Sequence, residues 1–129
     1  MVEPIWVDMP EVLVAHSRQL AEHGGSDGIR DATLLEFALG KPRDVFASSD
    51  SPSLPMLAAS YAFEIVKNHP FIDGSKRTAL VIAEGFLGFN GVKIVAPQEE
   101  KYLTCLHLAD GSLTEKELAA WFTAHAVPF

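Results

Sequence analysis

A chain of 129 residues that is 48% apolar and 21% charged can bury one real hydrophobic core and is too apolar to be disordered, so a single domain over residues 1–129 is expected. The net charge is −7, and the ten Lys and Arg are scattered apart from Lys76-Arg77. This excludes the basic stripe that sequence-independent nucleic-acid binding requires, and favours one small polyphosphate at a local cationic spot. The apolar run Thr78–Phe89 is broken by Glu84 and falls short of the roughly 18 residues of a membrane span. The N-terminal residues show no basic segment leading into an apolar one, and the single Cys105 has no internal disulfide partner. The expected compartment is therefore the cytoplasm.

Ile5-Trp6-Val7 reads as a short apolar start, an edge strand at most. Asp8 or Met9 caps a helix whose Pro10 stands near the first position, where a missing N–H costs nothing. Val12, Leu13, His16 and Leu20 form its stripe, Gly24-Gly25 ends it, and His16 and His23 read as structural or surface groups. After the turn Ser26-Asp27-Gly28, Asp31 caps a second helix with Leu34, Leu35 and Ala38 inward, which is expected to stop at Gly40 before Pro42. Lys41–Pro52 lacks periodicity and reads as a loop. Its Val45-Phe46 either pins it to the core or serves a flap that docks a protein substrate.

Ser53 caps the next helix, Leu54–Asn68, with Pro55 in its first turn. The helix from Gly74 to Asn90 is apolar nearly all round, as a central helix is. A short turn joins the two, so they should lie antiparallel. Asn90-Gly91 is a stop, Val92–Val95 a short strand, and Pro97 the start of a helix through Ala109 in which Cys105 is a core residue. Thr114-Glu115-Lys116-Glu117 is a capping box before a last helix carrying Leu118, Trp121 and Phe122. The expected fold class is all-α, about six helices with one or two very short strands.

The chemistry concentrates in His69-Pro70-Phe71-Ile72-Asp73-Gly74-Ser75-Lys76-Arg77, at the tip of the hairpin. Free N–H groups at Gly74, Ser75 and Lys76 open a helix whose N-terminus carries partial positive charge. Gly74 admits close approach of a phosphate, and Lys76 and Arg77 add full charges, Arg77 through a two-pronged guanidinium. Asp73 can hold a Mg²⁺ that bridges phosphates. Across the turn, His69 can take the proton of an attacking hydroxyl. Phe71 and Ile72 are expected to point inward and fix the turn. The plainer alternatives are His69 as a helix-end cap, Asp73 as an N-cap and Lys76-Arg77 as a solvated pair. Gly-Ser-Lys lacks the glycine spacing and preceding strand of a P-loop, His69 and Asp73 lack a third zinc ligand, and Ser75 lacks a nucleophile elbow.

On this motif, on Gly28-Ile29-Arg30-Asp31 with Leu34-Leu35-Glu36, and on Thr78-Ala79 through Asn90-Gly91, the chain resembles the Fic superfamily and, within it, the death-on-curing (Doc) toxins of type II toxin–antitoxin modules. Common Fic proteins carry Gly-Asn-Gly-Arg and transfer AMP to a hydroxyl. Doc-like members carry Lys at the third of those positions, as Lys76 does. A side chain there crowds the α-phosphate site, so the resemblance implies a reversed nucleotide and an ATP-dependent protein kinase that blocks translation, with a threonine of elongation factor Tu as target. It implies His69 as base, Asp73 as the Mg²⁺ ligand, and Gly74, Lys76 and Arg77 as the phosphate cradle. It also implies a cognate antitoxin whose C-terminal segment folds into a groove of the toxin. Ser75 departs from the family's usual Asn and implies weaker phosphate contacts. Ser60 to Glu64 fits only part of an internal inhibitory motif. AMP transfer by the same fold, or a catalytically weak antitoxin-binding module, are the alternatives.

Overall fold

A computed structural model describes all 129 residues. Six helices, α1 (Met9–His23), α2 (Ala32–Ser48), α3 (Leu54–Asn68), α4 (Ser75–Phe89), α5 (Gln98–Asp110) and α6 (Glu115–His125), are joined by two three-residue strands, β1 (Val92–Ile94) and β2 (Ala126–Pro128). The class is all-α, as expected. No helix is long and apolar enough to cross a membrane.

α2, α3 and α6 begin where short polar side chains satisfy the first free N–H groups. Asp31 accepts from Leu34 N at 3.0 Å and Ser53 from Met56 N at 3.3 Å. Thr114 and Glu117 close a reciprocal capping box at 3.1 and 3.0 Å. α3 holds the centre, packed against α2, α4, α5 and α6. Leu57, Ala58, Tyr61 and Ile65 on α3 and Ala79, Ile82, Ala83 and Phe86 on α4 are buried in one core. The hairpin α3–α4 therefore presents its tip, residues 69–74, at one end of the bundle.

Two expectations are corrected. First, α2 does not stop at Gly40 but runs to Ser48 with Pro42 inside it, so Lys41–Pro52 is mostly helix. A proline inside a helix costs about 3 kcal/mol. Here the second half of α2 recovers that by packing. Phe46 meets Trp6 edge-on at 5.8 Å, and Arg43 lies over the same indole at 5.4 Å while pairing with Asp8 at 2.7 Å. Phe46 thus pins this segment to the core. Second, Ile5-Trp6-Val7 is extended but pairs with no strand. Side chains dock it instead: Asn90 accepts from Ile5 N and donates to Ile5 O, while the Tyr61 hydroxyl accepts from Val7 N and donates to Val7 O. The very short strands number two, as the fold class allowed: the C-terminal Ala126–Pro128 lies antiparallel to β1 with Lys93 opposite Val127.

Candidate functional site

α3 ends in a backbone conformation that its sequence does not favour. His69 closes the helix at φ 47, the left-handed region, and is the one non-glycine residue there. Such a residue needs bracing. The Arg30 guanidinium supplies it, with Nε donating to the His69 carbonyl at 2.7 Å and Nη2 to the Asn68 carbonyl at 2.8 Å. These are the last carbonyls of α3, where the helix dipole is negative, so a cation is well placed. The loop that carries Arg30 also splints the motif. Pro70 O accepts from Arg30 N and Asp31 N, Ile72 N donates to Gly28 O, and Ile29 bridges Phe71 antiparallel.

The extended bridge turns successive side chains to opposite faces. Phe71 is fully buried, as expected, but Ile72 is 51% exposed. The reading of Ile72 as inward is corrected for that reason. It lies outside, over Gly28, where an added Cβ would stand 2.9 Å from its Cδ1.

Beyond the bridge, Gly74 at φ 81 is the N-cap of α4, with no side-chain cap. Asp73 is therefore not the cap; its Oδ2 accepts from Ser26 N at 3.2 Å. The first backbone bond of α4 runs from Thr78 N to Gly74 O at 3.0 Å. The N–H groups of Ser75, Lys76 and Arg77 precede it and are free, at the positive end of a buried helix. Ser75 is 2% exposed and its Oγ has no partner. Neither Lys76 nor Arg77 joins any of the chain's four ion pairs. Glu64 is buried and accepts from Asn68 Nδ2 at 3.0 Å, with no ion pair to Arg77. No internal glutamate occupies the guanidinium.

One cavity of about 670 Å³ is lined by His69, Asp73, Gly74, Ser75, Lys76 and Arg77 together. Its wall continues along α4 through Leu80 and Glu84, then across α5 through Gln98, Tyr102 and Cys105, with Gln19 and His23 from α1. Every residue singled out in the motif for chemistry thus faces a single space. Asp73 belongs to no cluster of three or more carboxylates, cysteines and histidines that would form a ready metal cage. A divalent ion held there would have to draw ligands from phosphate oxygens, which suits Mg²⁺.

Cys105 is buried, as expected of a core residue, and it also ties α5 to the motif. Its Sγ–H donates to the Lys76 carbonyl at 2.7 Å. Burial pushes the thiol up to about 11, against a smaller pull downward from Lys76 and Arg77. A thiol held neutral is a poor nucleophile. Because the folded value lies above the ordinary 9.0, the fold favours the protonated form. That contribution is complete below pH 9 and lost as pH rises toward 11. We expect the melting temperature to fall over this window and Cys105→Ala to flatten the fall, as thermal scans from pH 7 to 11 would measure.

Sequence reasoning missed Arg30, Ser26 and His16 as partners of the motif. All three reach it from the other side of the chain, at separations of 38 to 57 residues. Arg30 carried a signal only as part of Gly28-Ile29-Arg30-Asp31.

A profile of the Fic/DOC family matches residues 6–87, well over half of the chain. The chain belongs to the Fic/DOC family. It is 36% identical over 92 residues to the protein named Toxin Doc of Mycolicibacterium smegmatis, covering 70% of this chain and 68% of that one. It is 32% identical over 111 residues to the protein named Protein kinase doc of Escherichia phage P1, covering 85% and 87%. The Fic/DOC match spans the loop bearing Arg30, the hairpin and most of α4, which are the elements that build the cavity's motif end.

Proposed function

We propose that this chain is the toxin of a toxin–antitoxin module, an ATP-dependent protein kinase that modifies a protein hydroxyl and so blocks translation. The observation that carries the reading is the convergence of His69, Asp73, Ser75, Lys76 and Arg77 with unpaired N–H groups on one cavity. The names borne by the two relatives, a toxin and a protein kinase, support it.

The residues present suit a nucleotide triphosphate. The free N–H groups at the head of α4 and the cations Lys76 and Arg77, which join no ion pair, offer donors that have no acceptor within the chain. Mg²⁺ on Asp73, when bound, would neutralise phosphate charge. His69, exposed at the cavity edge, accepts the proton of the target hydroxyl as its oxygen bonds to the γ-phosphorus. The bond from that phosphorus to the bridging oxygen breaks, and ADP leaves. Arg77 and the helix amides hold the charge that spreads over the phosphoryl oxygens, the main task of a protein in such transfers. Lys76 takes the motif position that is glycine in the common Fic pattern, and a side chain there would crowd an α-phosphate, which favours presenting the γ end to His69. The proposed target is a threonine of elongation factor Tu. The proposed silencing partner is an antitoxin whose C-terminal segment occupies a groove of this protein.

Inducible expression in bacterial cells tests this. The wild-type chain should stop incorporation of labelled methionine within one doubling, and co-expression of the cognate antitoxin should restore it. Undiminished incorporation at high expression would remove the toxin reading.

Arg30 gives a second handle. Loss of its two bonds to the carbonyls of Asn68 and His69 leaves the left-handed His69 unbraced. Misplacing a catalytic group by about 1 Å can cost on the order of 100-fold in rate. Arg30→Ala should thus lower transfer at least tenfold with the helix content unchanged by circular dichroism.

A further inference from the structure

His16 belongs to α1, outside the motif, and is 3% exposed. Nothing in the chemistry proposed above uses it. Its Nε2 nevertheless stands 2.7 Å from the Asp73 carbonyl oxygen, 57 residues away in sequence. Its ring lies flat on Phe71, with 3.8 Å between centroids and 12° between planes. A carbonyl has no proton to give, so Nε2 carries the hydrogen and donates.

The peptide that accepts this bond joins Asp73 to Gly74. No peptide in the chain is cis, so carbonyl and N–H of this unit point in opposite directions. Fixing the Asp73 oxygen toward α1 therefore fixes the Gly74 N–H away from it. Without that bond the unit could rotate, because glycine accepts either sign of φ at little cost. A rotated peptide would present a carbonyl oxygen, the negative end of its dipole, where the helix mouth now offers N–H groups. The Asp73–Gly74 peptide thus needs a lock, and His16 is the side chain that hydrogen-bonds it. A Cβ on Gly74 would meet the His16 ring at 3.6 Å and Leu20, one turn along α1, at 3.5 Å.

We propose that His16 is a positioning residue for the phosphate nest. Stacked on Phe71 and donating to Asp73 O, it holds the Asp73–Gly74 peptide in the orientation that leaves the head of α4 lined with donors. This inference rests on the nucleotide reading for its consequence, though not for its geometry. A merely structural histidine would be replaceable by any side chain that fills the same space; a lock requires a donor at the position of Nε2.

The test uses the full chain with His16→Phe, which keeps an aromatic ring on Phe71 and deletes the donor, and His16→Gln, which places an amide N–H near the position of Nε2. ¹⁵N relaxation without ligand reports whether Asp73, Gly74 and Ser75 become mobile. Titration with Mg²⁺ and β,γ-imido-ATP reports the consequence. His16→Phe should loosen these three amides and weaken the analogue about tenfold or more, the range for losing a hydrogen bond to a charged group. His16→Gln should return both to within about threefold of wild type. Wild-type relaxation and affinity in His16→Phe would overturn the proposal. So would equal losses in both variants that track a common fall in melting temperature, since packing would then be the cause. If wild type itself fails to bind the analogue, the nucleotide reading falls, and relaxation of the two variants still decides the role of His16.

Discussion

His69→Ala should abolish transfer to the protein target while leaving the fold intact. General-base assistance is worth about 10²- to 10⁴-fold, so residual activity should be at most about 1% of wild type. The side chain of His69 is exposed and makes no hydrogen bond; only its backbone is engaged, through Ile65 O and Arg30. Alanine needs the same left-handed φ as histidine, so stability should change by less than about 1 kcal/mol. Urea unfolding and a transfer assay on the same preparation separate the two effects. A variant that stays toxic and active would show that His69 only caps α3. A variant that is inactive because it is unfolded would leave the base role to His69→Gln, which keeps a polar side chain and should be just as inactive while folded.

Phe71→Ala should be the most damaging single change to stability within the motif. The ring is fully buried in the core and carries the stacked His16 imidazole on one face. Truncating a buried phenylalanine to alanine costs about 3–5 kcal/mol, from lost transfer energy and the cavity left behind. For a domain of this size the melting temperature should drop on the order of 10 °C or more. The loss should also reach the site, because His16 would lose the surface that orients its bond to Asp73. Nucleotide affinity should consequently fall even in conditions where the variant is fully folded. A cost below about 1 kcal/mol would mean that Arg30 and the Ile29 bridge hold the turn without Phe71. Ile72→Ala is the matched control. Its side chain is half exposed over Gly28, and its loss should cost far less.

Much of this architecture was readable because its signals are local. Asp31, Ser53 and Thr114 announce helix starts by hydrogen bonds within three residues, and the hairpin and its motif are contiguous in the chain. What escaped depends on distant partners. The continuation of α2 through Pro42 is decided by Trp6 and Asp8, which accept Phe46 and Arg43 from about 35 to 40 residues away. Ile5-Trp6-Val7 has the composition of a strand, yet Asn90 and Tyr61 satisfy its backbone with side chains. Ala126–Pro128 becomes a strand only because β1 ends beside it. The same distinction runs through the site. His69, Asp73, Gly74, Ser75, Lys76 and Arg77 could be named from spacing, and the structure brings them onto one cavity. His16 and Arg30 could not be named as their supports, since nothing local marks a histidine in an apolar stripe, or an arginine after a turn, as the partner of a carbonyl in another element.

The central claim, a phosphoryl transfer from ATP at the head of α4, is tested most directly by paired incubations of the purified chain, Mg²⁺ and elongation factor Tu with ATP labelled at either the α- or the γ-phosphate, followed by the same pair in whole lysate. The account predicts label on protein from the γ-position only, absent with His69→Ala. Label from the α-position would contradict it and make this an AMP-transferase in which Lys76 does not reverse the nucleotide. No label from either, in lysate as well as with the pure factor, would contradict the enzymatic reading altogether and leave an antitoxin-binding module.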